Sequence, residues 1–100
     1  MATTVTETYI LEQNTGQSEY PSSANTRLQA AIANGTIVSF TKTPIIDGPD
    51  LVEGKTRFRI VRVFRSADDR TSFQAAAQAD TAFQAYVISS GSTRINEVIS

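Results

Sequence analysis

The run from Lys55 to Arg65 constrains the fold most, because it has the length and pattern of one β-strand with apolar residues on both faces. Side chains on a strand alternate between the two faces of its sheet. One face carries Phe58, Ile60 and Phe64, and the other carries Val61 and Val63 together with Arg57, Arg59 and Arg65. Such a strand needs a packing partner on each side of its sheet, and a chain of 100 residues can supply only one of them.

Composition narrows the class of protein. One hundred residues, 40% of them apolar and 19% charged, predict a single globular domain over residues 1–100. The formal net charge of −1 gives no general attraction to nucleic acid or to anionic membranes. No residue run has the length of a membrane span or the pattern of a signal peptide. We expect a soluble protein, cytoplasmic or associated with a virion.

The chain contains neither cysteine nor histidine, which limits the chemistry available to it. Disulfides and thiolate nucleophiles are excluded, and the commonest general base and metal ligand is missing. The acidic residues are scattered without the spacing of a calcium loop. The sequence therefore predicts no catalytic residue, no metal ligand and no cofactor.

Hydrophobic periodicity and turn residues divide the first half of the chain. Strands are predicted over 5–12 and 36–43, and a helix begins at Pro21-Ser22-Ser23 with a serine as N-cap and ends at Asn34-Gly35. The connection from Pro44 to Gly54 is unusually apolar for a solvated turn, so we expect it to pack on something.

The second half of the chain is predicted as a helix over 66–87, a turn over 89–92 and a final strand over 93–99. Ser66 followed by Asp69 fits a capping box. Asp80 falls within the apolar stripe of this helix. Either Asp80 pairs with an arginine from the sheet, or the helix breaks there and Asp80 caps a second segment.

The resulting order is β-α-β-β-α-β, which is the order of ferredoxin-like folds, with an antiparallel sheet of order 4-1-3-2 and two helices on one face. In this element order the chain resembles the dimeric α+β barrel proteins, in which two such sheets pack face to face. The resemblance implies a homodimer and a barrel cavity, but it rests on no residue motif and transfers no functional residue.

Three functions remain open from the sequence. The leading one is a homo-oligomeric structural or interaction module, with an interface formed by Ile45, Ile46, Phe58, Ile60, Val61, Val63 and Phe64. The second is a cofactor-free enzyme or small-ligand binder that uses Tyr9, Arg62 and Asp80 in the barrel cavity. The third, binding of single-stranded nucleic acid to the arginines of the third strand, is disfavoured because cross-strand pairing of these arginines with Glu7, Glu12 or Glu97 explains them more simply.

Overall fold

The computed structural model describes residues 3–16, 21–46 and 52–100. These residues form an α+β structure with one four-stranded antiparallel sheet and three helices. In chain order the elements are β1 (Val5–Asn14), α1 (Ser22–Ala33), β2 (Ile37–Ile45), β3 (Lys55–Phe64), α2 (Ala67–Ala79), α3 (Thr81–Ser89) and β4 (Thr93–Ile99). Among the described residues, no helix has the length and apolar character needed to cross a membrane.

The strand order is β2-β3-β1-β4, and all three neighbouring pairs are antiparallel. Counted from the opposite edge, this is the order 4-1-3-2 that the sequence predicts. The two central strands pair along their whole length, from Val5 opposite Phe64 to Asn14 opposite Lys55. Both edge pairs contain one register shift, after Ile37 in β2 and between Thr8 and Ile10 in β1.

Burial shows which face of β3 meets the helices, a point that the sequence left open. Ile60 and Phe64 are fully buried, and Arg62 between them is only 7% exposed. Phe64 packs with Leu28 and Ala31 of α1, whereas Ile60 belongs to a second cluster with Tyr9 and Leu11 of β1. Phe58 is partly buried beside this second cluster. The face that carries Phe58, Ile60 and Phe64 is therefore the helix side of the sheet.

The ends of α1 agree with the sequence prediction at the C-terminus and differ from it at the N-terminus. Asn34 is the C-cap and Gly35 takes a positive φ of 85°, as expected for a helix that stops at Asn-Gly. At the start, however, Pro21 occupies the N-cap position and no side chain accepts a hydrogen bond there. The prediction of a serine N-cap was wrong, because both serines follow Pro21 inside or at the start of the helix.

The helix predicted over 66–87 is two helices, so the expectation of two helices in total is corrected to three. Ser66 caps α2, and its side chain accepts a hydrogen bond from the backbone N–H of Asp69 at 3.2 Å. The Asp69 carboxylate binds Arg65 and not the start of the helix, so only half of the predicted capping box forms. The break falls at Asp80, whose side chain accepts a hydrogen bond from the Phe83 N–H and caps α3.

Strand β2 begins one residue later and ends two residues later than predicted, and it includes Pro44, which is tolerated because β2 is an edge strand. Residues 47–51 of the following connection lie outside the described part of the chain. At its start, Ile46 is 83% exposed, and at its end Val52 is 48% exposed. The packing predicted for this connection is therefore not seen at its two described ends.

Candidate functional site

A buried carboxylate organises the helix side of the sheet. Glu7 of β1 has no exposed surface, although it is a charged residue in the middle of a strand. Its directly opposite neighbour on β3 is Arg62, which donates from Nε to Glu7 Oε1 at 2.7 Å. Arg70 of α2 donates from Nε to Glu7 Oε2 at 2.8 Å, and Arg94 of β4 approaches Oε1 at 3.4 Å. The Glu7 carboxylate of β1 thus contacts arginines from three other elements, β3, α2 and β4.

The protonation of Glu7 follows from these neighbours. Burial raises its pKa, but the positive charge of Arg62 and the hydrogen bonds from Arg70 and Arg62 outweigh that effect. The pKa of Glu7 therefore lies below its ordinary value of 4.5, and the side chain is charged at neutral pH. A buried charge of this kind persists in proteins only where it is paired and hydrogen-bonded.

A second ion pair joins α1 to the helix break. Arg27 donates to Asp80 Oδ2 at 2.6 Å, while Asp80 Oδ1 accepts from the Phe83 N–H at 3.1 Å. The hydrogen bond from Arg27, followed by that from the Phe83 backbone, holds the pKa of Asp80 below its ordinary value. Asp80 thus both caps a helix and pairs with an arginine, which were the two alternatives predicted from the sequence. The arginine comes from α1, however, and not from the sheet.

A cleft of about 260 Å³ lies between the helices and the sheet. Its walls contain three arginines, three glutamines and four aromatic rings, together with small and aliphatic residues: Tyr9, Ala24, Arg27, Leu28, Phe40, Arg62, Phe73, Gln74, Ala77, Gln78, Phe83, Gln84 and Arg94. The arginines stack on the rings, with Arg94 4.4 Å from the centre of Tyr9 and Arg27 5.2 Å from that of Phe83. Such walls suit a ligand that combines a negative charge with an apolar body.

The opposite face of the sheet is covered by no described element, and we call it the open face. Following the strand register, its residues on the sheet are Thr6, Thr8, Ile10 and Glu12 of β1, Ser39, Thr41, Thr43 and Ile45 of β2, Arg57, Arg59, Val61 and Val63 of β3, and Thr93, Ile95 and Val98 of β4. Val61 and Val63 are partly exposed, and Val98 is 60% exposed. The open face is therefore a β-branched surface of threonine, valine and isoleucine with a few charges.

The structure divides the predicted interface residues between the two faces. Ile60 and Phe64 lie fully buried within the chain, and Phe58 lies partly buried on the same side. Val61, Val63 and Ile45 lie on the open face, and Ile46 lies beyond the end of β2. The interface itself stays a prediction, and its accessible members are the open-face residues together with Ile46, which is 83% exposed.

The predicted cavity residues come close together, but on the helix side of the sheet. Tyr9 and Arg62 both line the cleft, and Asp80 reaches it through its bond to Arg27. Cross-strand pairing was predicted for Arg57, Arg59, Arg62 and Arg65 as a group. Arg62 with Glu7 and Arg57 with Glu12 form such pairs, whereas Arg65 pairs with Asp69 of α2.

The sequence did not identify four charged or aromatic residues of the cleft: Arg27, Phe73, Phe83 and Arg94. They come from α1, α2, α3 and β4, and no local motif connects them. Among the described residues there is no cluster of acidic side chains that could hold a metal ion.

Comparisons with known proteins found no matching family model, no matching curated protein and no matching solved structure.

Proposed function

We propose that this chain is a small homo-oligomeric structural or interaction module that associates through the open face. The observation that carries the proposal is the apolar content of a sheet face that no described element covers. In the middle of that face a cross-strand row runs from Thr41 through Val61 and Thr8 to Val98. A face that functions only in contact with water would be expected to carry mainly charged and polar residues at such positions.

The neighbouring row supports the same proposal and adds one charge. It runs from Thr43 through Arg59 and Ile10 to Ile95. Arg59 is exposed, and its long side chain can extend its guanidinium to the rim of an interface while its methylenes cover apolar surface. Arg57, one row further along, is held by Glu12, with Nε and Oε2 2.8 Å apart. The charges of the open face therefore lie towards the end where β3 begins, in the row next to Val61 and in the row beyond it.

The size of the open face sets the expected strength of association. The open face is four strands wide, at a spacing of about 4.8 Å, and about seven residues long. These dimensions give an area of roughly 450 Å² per copy, or about 900 Å² for the two copies of a dimer. Stable interfaces bury about 1,200–2,000 Å² in total, and smaller ones belong to weak or transient complexes. We therefore expect a dimer that dissociates in the micromolar range or above, unless elements beside the sheet add to the contact.

The finer fold assignment belongs to the same proposal. We take the chain as ferredoxin-like and its dimer as an α+β barrel closed by two open faces. The support is the strand order, the antiparallel pairing and the contacts of all three helices with the same side of the sheet. An enzyme that uses a barrel cavity has less support, because Tyr9 and Arg62 point to the helix side. Nucleic-acid binding has less support because Arg57 is already paired with Glu12.

Sedimentation equilibrium across a wide concentration range tests the proposal. The wild-type chain of 10.8 kDa should approach twice that mass as its concentration rises. The variant Val61→Asp places an unpaired charge in the dry centre of the contact, which costs about 3–5 kcal/mol. Since about 1.4 kcal/mol corresponds to a tenfold change in the dissociation constant, the dissociation constant of the dimer should rise a hundredfold or more.

Ile88→Asp is the matched control, because Ile88 of α3 is an apolar residue that is 82% exposed on the helix side. It introduces the same charge and should leave the dimer unchanged, while circular dichroism verifies that both variants fold. A wild-type chain that stays monomeric at several hundred micromolar would contradict the proposal. A dimer that survives Val61→Asp and dissociates in Ile88→Asp would place the interface on the helices.

A further inference from the structure

The cleft between the helices and the sheet has properties that association through the open face does not use. Its volume is about 260 Å³. A dry protein cavity of about 150 Å³ is large enough to bind benzene, so this cleft has room for one ring and a short substituent. Larger, drug-sized ligands occupy sites of about 300–1,000 Å³. The volume therefore indicates a single-ring molecule or an aliphatic molecule of similar size.

The charges around the cleft do not balance. Glu7 and Glu97 are the two carboxylates of its ion-pair network, and they face three guanidiniums, those of Arg62, Arg70 and Arg94. The network therefore carries one excess positive charge beside the cleft, which is open to solvent on one side. Arg94 is the most exposed of the three guanidiniums, with 39% of its side chain accessible, so it is the one that a negative charge bound in the cleft can reach.

The side chain of Arg27 gives a second, independent indication that a hydrogen-bond acceptor is missing beside the cleft. Its terminal nitrogen binds Asp80, but its Nε is buried and has no hydrogen-bond partner among the described residues. An unsatisfied buried donor is rare in folded proteins and costs stability. Arg27 also lines the cleft between the rings of Phe73 and Phe83, at 5.8 Å and 5.2 Å from their centres.

The cleft opens to solvent beside the helices that cover it. Neither α2 nor α3 contains a fully buried residue, so this layer rests on the sheet through a few side chains. Arg94, with 39% of its side chain exposed, lies where the cleft meets solvent. An apolar ring could enter from there and stack beside Phe40 and Phe73.

We propose that the cleft binds a small monocarboxylate with an aromatic or compact apolar body. The carboxylate is held by the guanidiniums of Arg27 and Arg94, and the apolar body lies among Tyr9, Phe40 and Phe73. Arg62 stays on Glu7 and provides positive charge without direct contact. Binding uses the helix side of the sheet, so it is independent of whether two copies associate through the open face.

Titrations followed by amide chemical shifts on the wild-type chain test this proposal with phenylacetate, neutral 2-phenylethanol and cationic 2-phenylethylamine. Phenylacetate should bind in the high-micromolar to millimolar range expected for its size, and shift amides of α1, α3 and β4. 2-Phenylethanol should bind about tenfold more weakly or worse, since it lacks a charge-assisted hydrogen bond. 2-Phenylethylamine should not bind.

Variants separate the guanidiniums from the apolar walls. Arg27→Met and Arg94→Met should each weaken phenylacetate about tenfold and leave 2-phenylethanol unchanged. Arg59→Met on the open face is the matched control and should change neither affinity by more than about twofold. If Arg27→Met does not fold, the three ligands on the wild-type chain and the Arg94→Met variant still test whether the cleft binds a carboxylate. Equal affinity for phenylacetate and 2-phenylethanol, shifts centred on the open face, or no saturable shifts would overturn the proposal.

Discussion

Replacing Glu7 by glutamine tests whether the buried network holds the helices to the sheet. The substitution keeps the shape and an acceptor oxygen but removes the charge that three arginines share. Removing one partner of a buried ion pair costs about 3–5 kcal/mol. The lower end applies here, because only Arg62, with 8% of its side chain exposed, is nearly as buried as Glu7, whereas the side chains of Arg70 and Arg94 are 18% and 39% exposed.

A loss of about 3 kcal/mol is a large share of the 5–15 kcal/mol that stabilises a typical domain. For a domain of this size it corresponds to a fall in Tm of about 12–24 °C. Urea unfolding followed by circular dichroism measures the loss directly, and the midpoint should fall while the slope stays constant. Glu12→Gln is the matched control, since Glu12 lies on the same strand with one arginine partner, and we expect about 1 kcal/mol or less.

The pH dependence gives an internal check on the same variant. The pKa of Glu7 is lowered by folding, so its charge stabilises the folded state above its ordinary value of 4.5, and that stabilisation is lost as the pH falls below 4.5. The difference in free energy of unfolding between wild type and Glu7→Gln should therefore be constant near neutral pH and shrink below 4.5. Adding Arg62→Met to Glu7→Gln should recover part of the loss, because the unpaired guanidinium is then gone. A loss below about 1 kcal/mol at pH 7, or one that does not change with pH, would refute this reasoning.

Two further predictions concern the helix break and the turns. Asp80→Ala removes both the cap of α3 and the partner of Arg27, whereas Asp80→Asn keeps a capping oxygen. Asp80→Ala should therefore lower Tm and the helical circular dichroism signal more than Asp80→Asn does. Equal losses in the two variants would show that the cap contributes nothing to stability. Gly54 and Gly91 both have positive φ, at 82° and 64°, but a Cβ on Gly91 would come within 2.8 Å of the Asn14 side chain, whereas one on Gly54 meets open space. Gly91→Ala should therefore lower the urea midpoint more than Gly54→Ala, and equal midpoints would contradict the close approach.

The sheet could be predicted from the sequence because its signals are local. Runs of β-branched and aromatic residues mark β1 and β3, and Asn34-Gly35 and the glycines of the longer turns mark the chain reversals. Pairing of the β3 arginines with glutamates on other strands is predicted only as a set, and Arg62 with Glu7 is one such pair, since the predicted order places β1 and β3 side by side. Glu7 also shares its face with Tyr9 and Leu11, which is the sequence signal for its burial.

The cleft could not be predicted, because it depends on the distance between two layers and not on any one element. Arg27 and Phe83 lie far apart in the sequence, and only the turn of the chain at Asp80 brings them into contact. The sequence also suggested a sheet arginine as the partner of Asp80, since nothing local distinguishes an arginine on α1 from one on β3. Side-chain pairing between layers is set by tertiary packing, which periodicity does not encode.

The most direct test of the central claim is to measure which methyl groups touch a second copy. A sample mixing isotope-labelled and unlabelled chains, recorded with filters that pass only intermolecular nuclear Overhauser effects, reports such contacts. Association through the open face predicts intermolecular effects from the methyls of Val61, Val63 and Ile10, and none from Leu28 in the core of the chain. Intermolecular effects confined to Ile88 of α3, or none at concentrations where the mass is that of a dimer, would contradict it.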